Sequence, residues 1–166
     1  MITLVLGGAR SGKSLVAESI AARAGVDVTY VATVSVGDDV DLAARVEAHQ
    51  RRRSAHWVTV ECGEDLAGQL ERTPGTVLVD SLGPWLAAWS IPGPGVEALC
   101  NVLVARADDT IIVSEEVGLG VHPSTTLGRE FRDALGELNQ AIASVADEVL
   151  FVIAGRVLPL QSGDFR

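Results

Sequence analysis

The sequence predicts an α/β fold in which a mostly parallel central sheet is flanked by helices. Short runs of β-branched and aliphatic residues alternate with stretches at helical spacing, which is typical of consecutive βαβ units. Hydrophobic residues make up 48% of the chain and aromatic residues only 4%, which suits parallel strands buried on both faces. The length of 166 residues fits one domain, which we expect to span residues 1–166.

Each predicted element is bounded by glycine, proline or polar residues. Apolar runs predict strands at residues 2–6, 26–32, 57–60, 76–80, 110–114 and 148–153, the last of these being the final strand. Helical spacing predicts helices at residues 14–24, 38–53, 66–70, 83–89, 96–107 and 124–146. In such a sheet, ligands bind at the carboxyl ends of the strands.

Charge and composition exclude several classes of protein. The net charge of -9 argues against binding to a nucleic-acid backbone, and the run of arginines at 51–53 is either a local phosphate contact or a solvated helix end. No apolar run reaches the roughly 20 residues of a membrane span, so we expect a soluble, cytoplasmic protein. Cys62 and Cys100 have no metal-ligand spacing and are assigned no function.

The glycine-rich loop after the first strand matches the P-loop pattern G-x-x-x-x-G-K-[ST] and precedes a helix, as that motif requires. Its backbone N–H groups and the helix N-terminus favour phosphate oxygens. Lys13 is placed to bridge the terminal phosphates, and Ser14 to ligate Mg²⁺. The predicted phosphate-binding residues are Gly7, Gly8, Ala9, Arg10, Ser11, Gly12, Lys13 and Ser14.

Two carboxylates at strand ends are candidates for the same site. Asp80 ends a buried strand and is typical of the carboxylate that supports Mg²⁺ in P-loop proteins, although strands often end in Asp. Glu61 follows the third strand, where its side chain either reaches the same edge of the sheet or faces solvent.

A histidine among arginines suggests a second reaction. On the predicted helix over 38–53, Arg45, His49, Arg52 and Arg53 share one face. Nearby cations keep an imidazole neutral and nucleophilic, so attack on an α-phosphate would give a phosphoramidate. On residue chemistry alone, a polar helix face with a surface histidine is the commoner arrangement, and both interpretations stay open.

With these residues collected, the chain resembles the bifunctional adenosylcobinamide kinase/adenosylcobinamide-phosphate guanylyltransferase family of cobalamin biosynthesis. The resemblance spans nearly the whole chain and is carried by the P-loop and by the blocks YVAT (30–33), RVEAHQ (45–50), WVTVE (57–61), LVDSL (78–82), EVGLG (116–120), REFRD (129–133), Gly136, NQ (139–140) and ADEV (146–149). The order and spacing of these blocks are more specific than any single motif.

The resemblance implies two reactions. One phosphorylates adenosylcobinamide with ATP or GTP, and the other transfers GMP from GTP to adenosylcobinamide phosphate through a guanylylated histidine, which matches His49. It also implies a RecA-like P-loop fold, Mg²⁺, and a homo-oligomer, in the form of a trimer. The matching nucleotide-site residues, besides the P-loop, are Ala32, Thr33, Val34, Arg52, Arg53, Glu61 and Asp80.

Several positions depart from the family pattern. Glu115 replaces Asn before the EVG block, and His122-Pro123 replaces an apolar residue before the proline. Residues 81–86 are also less typical, and residues 92–95 fall in a part of variable length. We expect Glu115 and His122 to lie near the substrate surface.

Three alternatives remain beside the bifunctional transferase. The chain could retain only guanylyl transfer, or be another small-molecule P-loop kinase in which His49 is incidental. A different class is a non-catalytic nucleotide switch or RecA-like module, which the absence of an appended domain or basic nucleic-acid face does not favour.

Overall fold

Seven strands form one sheet within the residues that the computed structural model describes, which are 1–24, 27–33, 56–88 and 95–163. The strands are β1 (Ile2–Gly7), β2 (Val28–Ala32), β3 (Val58–Glu61), β4 (Thr76–Asp80), β5 (Thr110–Glu115), β6 (Glu148–Ile153) and β7 (Arg156–Leu160). Their order across the sheet is β3-β2-β4-β5-β1-β6-β7. Neighbouring strands are parallel except β6 and β7, so the predicted mostly parallel sheet is confirmed.

Helices cover both faces of this sheet. Over the same described residues they are α1 (Lys13–Ala24), α2 (Leu66–Arg72), α3 (Leu82–Ala87), α4 (Val96–Ala105) and α5 (Thr126–Val145). Helix α1 packs against one face of β1, β4, β5 and β6, while α5 packs on the opposite face with α3 and α4. The described elements thus form three layers, with the sheet between helices on its two faces.

The central strand β1 shows why the sheet needs helices on both sides. All six of its residues are buried. Leu4 faces the layer of α5, whereas Val5 packs with Ala17 and Ala21 of α1, in keeping with the alternation of side chains along a strand. The small alanines let α1 approach the sheet closely, and this holds the start of α1 directly beyond the end of β1.

The prediction that residues 148–153 form the final strand is wrong. Strand β7 follows after the two-residue turn Ala154-Gly155, in which both residues have positive φ (50° and 73°), as a tight hairpin requires. Sequence reasoning missed β7 because it contains Pro159 and is exposed along its whole length. Both features are tolerated at the edge of a sheet, where only one side of the strand is paired.

Most predicted element boundaries differ from the observed ones by one or two residues, and strand β3 is shifted by one residue towards Glu61. The predicted helix over 38–53 lies outside the described residues. Within the described part of the chain, no helix is long and apolar enough to cross a membrane.

Candidate functional site

The P-loop lies at the carboxyl end of β1 and leads directly into α1. Its backbone takes positive φ at Arg10 (57°) and at Gly12 (95°) as the chain curls. A side chain at Gly7 has no room, because a Cβ atom there would lie 2.5 Å from Ser11 Oγ and 2.8 Å from the Val152 carbonyl oxygen. The tight curl therefore depends on glycine where the strand turns into the loop.

The turn between β6 and β7 supports the loop from one side. The Gly155 N–H donates to the Ser11 carbonyl oxygen at 2.7 Å. A Cβ atom on Gly12 would lie 3.4 Å from Gly155 Cα, so the two backbones are close to contact. Sequence reasoning did not find this support; two apolar runs separated by a two-residue turn ending in glycine were the available signal.

Lys13 and Ser14 begin α1 and meet carboxylates from two other strands. Lys13 Nζ lies 3.5 Å from the Gly8 carbonyl oxygen and 3.5 Å from Glu115 Oε1. Ser14 Oγ lies 3.5 Å from Oδ1 of Asp80, the last residue of β4. The other Asp80 oxygen, Oδ2, accepts a hydrogen bond of 2.8 Å from the Tyr30 hydroxyl. Asp80 and the serine of the P-loop are thus neighbours in the structure.

Hydroxyl and carboxylate oxygens are the ligands that Mg²⁺ prefers, together with water and substrate phosphates. Ser14 and Asp80 supply such a donor pair at the helix N-terminus, so the residues present fit this ion. Within the described ranges, no cluster of three or more His, Cys, Asp or Glu side chains could hold a metal. A magnesium ion held by this pair would take further ligands from water and from the phosphates of a nucleotide.

Glu115 enters the site because β5 lies between β4 and β1, where it is paired with Gly7. Its Oε1 accepts a hydrogen bond of 2.8 Å from the Ser81 hydroxyl, and its Oε2 accepts one of 2.9 Å from the Gly83 N–H. From the sequence, Glu115 was expected only near the substrate surface. The structure places its carboxylate beside Lys13.

The buried side chain of Asn139 on α5 fixes the end of β5. Ser114 Oγ donates to Asn139 Oδ1 at 2.6 Å, and Asn139 Nδ2 donates to the Glu115 carbonyl oxygen at 3.0 Å. Both polar ends of the amide are satisfied inside the protein, as burial requires. The backbone of Glu115 is therefore held from α5 while its side chain reaches the P-loop.

Thr33 supports the segment that follows β4. Its buried hydroxyl donates to the Ser81 carbonyl oxygen at 2.6 Å and accepts from the Ser81 N–H at 3.0 Å. Ala32 lies opposite Asp80 on one side and opposite Glu61 on the other. Two strand spacings, about 10 Å, therefore separate the backbones of Glu61 and Asp80. The exposed Glu61 lies at the outer end of the same edge.

Five residues that the sequence analysis singled out are not among the described residues. They are Val34, Arg45, His49, Arg52 and Arg53. His122 is described: its Nδ1 lies 2.9 Å from an Arg132 guanidinium nitrogen in an exposed contact. The structure thus brings together Lys13, Ser14, Asp80 and Glu115, and leaves His122 outside this group of contacts.

Neither cysteine has the environment of a reactive thiol. Burial raises the pKa of the Cys62 thiol above its ordinary value, and burial also raises that of Cys100. Cys62 Sγ donates to the Gly63 carbonyl oxygen at 3.3 Å. A raised pKa keeps a thiol protonated near neutral pH.

Two cavities lie on the α1 and β6 side of the molecule. The larger, of about 720 Å³, lies between α1 and residues of the strand ends that include Met1, Asp109 and Glu148. The smaller, of about 340 Å³, is lined by P-loop residues 8–11 together with Glu116, Leu119 and Ile153. The first cavity is larger, but the second borders the P-loop, at the carboxyl ends of the strands.

The chain matches one protein family over nearly its whole length. Residues 3–160 match the family model described as cobinamide kinase / cobinamide phosphate guanyltransferase. The chain is 42% identical to a bifunctional adenosylcobalamin biosynthesis protein, CobP, of Pseudomonas aeruginosa, over 97% of this chain and 98% of that protein. Proteins named CobU from Salmonella typhimurium and Escherichia coli are 37% and 33% identical, each over 93% of this chain and 97% of the relative.

Solved structures support the fold. The flagellar accessory protein FlaH of Methanocaldococcus jannaschii superposes with a TM-score of 0.54 at 12% identity, covering 94% of this chain and 74% of FlaH. The RadB recombinase superposes with a TM-score of 0.52 at 18% identity, covering 90% of this chain and 73% of RadB. Both similarities concern the fold alone, and they confirm the RecA-like architecture that the sequence resemblance implies.

Proposed function

The chain belongs to the cobinamide kinase/cobinamide phosphate guanyltransferase family, and from this premise we propose that it catalyses both transfers. It phosphorylates adenosylcobinamide with ATP or GTP, then transfers GMP from GTP to adenosylcobinamide phosphate, in the assembly of the nucleotide loop of cobalamin. The observation that carries the proposal is the convergence of Lys13, Ser14 and Asp80 at the start of α1, in a chain matched to this family over residues 3–160.

In the kinase step, the acceptor hydroxyl oxygen attacks the γ-phosphorus and releases its proton to water. The bond from that phosphorus to the β,γ-bridging oxygen breaks, and the nucleoside diphosphate leaves. Lys13 contacts the β- and γ-phosphates and offsets the charge that develops on them. The Ser14 hydroxyl and the Asp80 carboxylate would hold Mg²⁺, which supplies further neutralisation when bound. The P-loop N–H groups orient the phosphates for in-line attack.

In the guanylyl step, we assign the nucleophile to His49. An imidazole nitrogen attacks the α-phosphorus of GTP, the bond to the α,β-bridging oxygen breaks, and pyrophosphate leaves. A phosphate oxygen of adenosylcobinamide phosphate then attacks the same phosphorus, which breaks the P–N bond and restores the imidazole. Arg52 and Arg53 would neutralise the phosphates. This assignment rests on the match of residues 45–50 to the family and on the residue chemistry.

The remaining predicted residues complete the nucleotide site in this proposal. The segment Ala32-Thr33-Val34 lines the site, with the buried hydroxyl of Thr33 holding Ser81 beside Asp80. Glu61 lies along the same edge of the sheet, where a carboxylate can accept hydrogen bonds from a ribose or a guanine base. We further propose that the protein is cytoplasmic and works as a homo-oligomer, in the form of a trimer.

Labelling at the α-phosphate tests the guanylyl step. Incubation with α-³²P-GTP and Mg²⁺ is expected to leave acid-labile label on the wild-type protein and none on His49→Ala. The matched control is His122→Gln, which removes another imidazole from an exposed contact and is expected to keep the label. Label that persists on His49→Ala would exclude His49 as the nucleophile.

Labelling at the γ-phosphate tests the kinase step independently. Wild-type protein is expected to transfer ³²P from γ-labelled ATP or GTP to adenosylcobinamide, and His49→Ala is expected to retain this transfer. A protein that accepts α-label but never transfers γ-label would be a guanylyltransferase only. Transfer to other small alcohols in preference to cobinamide would instead identify a different small-molecule kinase.

A further inference from the structure

We propose that Glu115 is a specificity-determining residue of the nucleotide site: its carboxylate is a resident counter-anion of Lys13 that the terminal phosphates must displace. This inference rests on the proposed nucleotide site and goes beyond it, because it concerns how strongly that site retains triphosphates over monophosphates. It is carried by the distance of 3.5 Å between Lys13 Nζ and Glu115 Oε1.

The carboxylate is held in place by more than its ion pair with Lys13. One oxygen accepts the Ser81 hydroxyl at 2.8 Å and the other accepts the Gly83 N–H at 2.9 Å. The backbone of Glu115 is anchored in turn by Asn139. Only about a quarter of the Glu115 side chain is exposed (24%), and only 12% of the Lys13 side chain. The pair is therefore poorly screened compared with ion pairs on the surface.

The position of the Glu115 carboxylate requires glycine at residue 83. A Cβ atom at residue 83 would lie 2.3 Å from Glu115 Oε2, well inside contact distance, so a larger residue there would displace the carboxylate. In the structure Glu115 contacts the segment that follows β4, through Ser81 and Gly83. The end of β5 and this segment thus form one structural unit that positions a negative charge.

The negative charge of Glu115 weakens the binding of the β- and γ-phosphates. In P-loop proteins the lysine bridges the β- and γ-phosphates, so these groups must come to the same ammonium that Glu115 now contacts. Like charges near one cation repel, and partial burial strengthens the repulsion. A glutamate here makes binding of triphosphate and diphosphate weaker than a neutral residue would. A nucleoside monophosphate, which lacks these groups, is little affected.

Nucleotide affinity of charge-neutral variants tests this role. Dissociation constants for GTP, GDP and GMP are measured by calorimetry in EDTA, so that no divalent cation offsets the charge. Glu115→Gln keeps the length of the side chain and is expected to bind GTP and GDP at least about tenfold more tightly than wild type, with GMP changed less than about twofold. If Glu115 only supported the loop, its replacement would lower the affinity for GTP. A higher affinity for GTP therefore indicates that the charge itself opposes binding.

Two further variants serve as a control for the loss of charge and as a second neutral replacement of Glu115. Glu148→Gln removes the same charge at the exposed start of β6, at the opposite end of the sheet, and is expected to leave all three affinities unchanged. Glu115→Asn, should Glu115→Gln fail to fold, is expected to give the same gain for GTP.

The outcomes separate this inference from the proposed function. Wild-type protein that binds no GTP in EDTA and none in Mg²⁺ would overturn the nucleotide site and this role together. Wild-type protein that binds GTP, with a neutral variant at residue 115 that binds it no more tightly, overturns the role of Glu115 alone. An equal gain for GTP and GMP also overturns it, because the charge would then act on the whole nucleotide rather than at Lys13.

Discussion

The N–H of Gly155 donates a hydrogen bond of 2.7 Å to the carbonyl oxygen of Ser11, which joins the turn of the last hairpin to the P-loop. The two residues are 144 positions apart in sequence, and strand β6 beside β1 brings them together. The loop that curls around phosphate is thus supported by its own backbone and also by the β6–β7 turn. This contact makes the hairpin part of the support of the P-loop.

We first predict that Gly155→Pro lowers nucleotide affinity about tenfold. Proline removes the N–H donor and cannot adopt the φ of 73° found at this position, so the turn must move away from Ser11. Gly155→Ala is the matched control. It keeps the donor, has open space for its Cβ atom, and carries only the strain of a positive φ, about 1 kcal/mol. Equal GTP affinity in the two variants, measured by calorimetry, would contradict a supporting role for the hairpin.

A pair of glycine-to-alanine changes tests the fit of the loop itself. At Gly7 the new methyl group would lie 2.8 Å from the Val152 carbonyl oxygen, which is part of the sheet and cannot yield easily. We expect Gly7→Ala to lower the free energy of unfolding by about 2–4 kcal/mol and GTP affinity more than tenfold. Gly136→Ala on α5 meets nothing within 4 Å, so it is expected to stabilise by about 0.5–1 kcal/mol. Denaturant unfolding and calorimetry measure both.

The carboxylate of Asp80 is predicted to matter for transfer more than for binding. Asp80→Asn removes the charge that would support Mg²⁺, and is expected to lower both transfer rates at least about 100-fold. Its GTP affinity in EDTA is expected to equal or exceed that of wild type, since a repulsive charge is lost. Tyr30→Phe keeps the charge and removes one hydrogen bond of 2.8 Å, so its rates should fall less. Transfer rates that fall further in Tyr30→Phe than in Asp80→Asn would contradict this role of the Asp80 carboxylate.

Arg106 is predicted to be a structural clamp away from the site. Its guanidinium donates to the carbonyl oxygens of Leu70, Thr73 and Gly75, where α2 ends and β4 is about to begin. Arg106→Ala leaves these acceptors without that partner and is expected to lower the free energy of unfolding by about 2–4 kcal/mol, with GTP affinity unchanged. The control Arg72→Ala breaks an exposed ion pair with Asp65 and is expected to cost about 0–1 kcal/mol. Urea denaturation compares the two.

Patterns of residues close together in the chain predicted the P-loop and several strands correctly. The P-loop could be recognised because its eight residues and their strand–loop–helix context are contiguous in the chain. The buried strands β4 and β6 were placed at their observed bounds because short aliphatic runs are bounded by glycine, proline or charged residues. The family followed from the order of many such blocks, and the comparisons confirm it.

Long-range pairing explains what was missed. Strand β7 was overlooked because an exposed edge strand with a proline has no alternating pattern of its own, and it is defined by pairing with β6. Glu115 was placed too loosely because its neighbours depend on strand order. Nothing in the order of the chain says that β5 lies between β4 and β1.

The sequence by itself determined the phosphate-binding loop, the α/β class and the family, because each depends on residues close together or on blocks in fixed order. Only the tertiary structure decided which side chains meet Lys13. Parallel strands joined by crossovers bring distant residues to one edge of the sheet, and this juxtaposition placed Asp80, Glu115 and the hairpin turn at Gly155 around one loop.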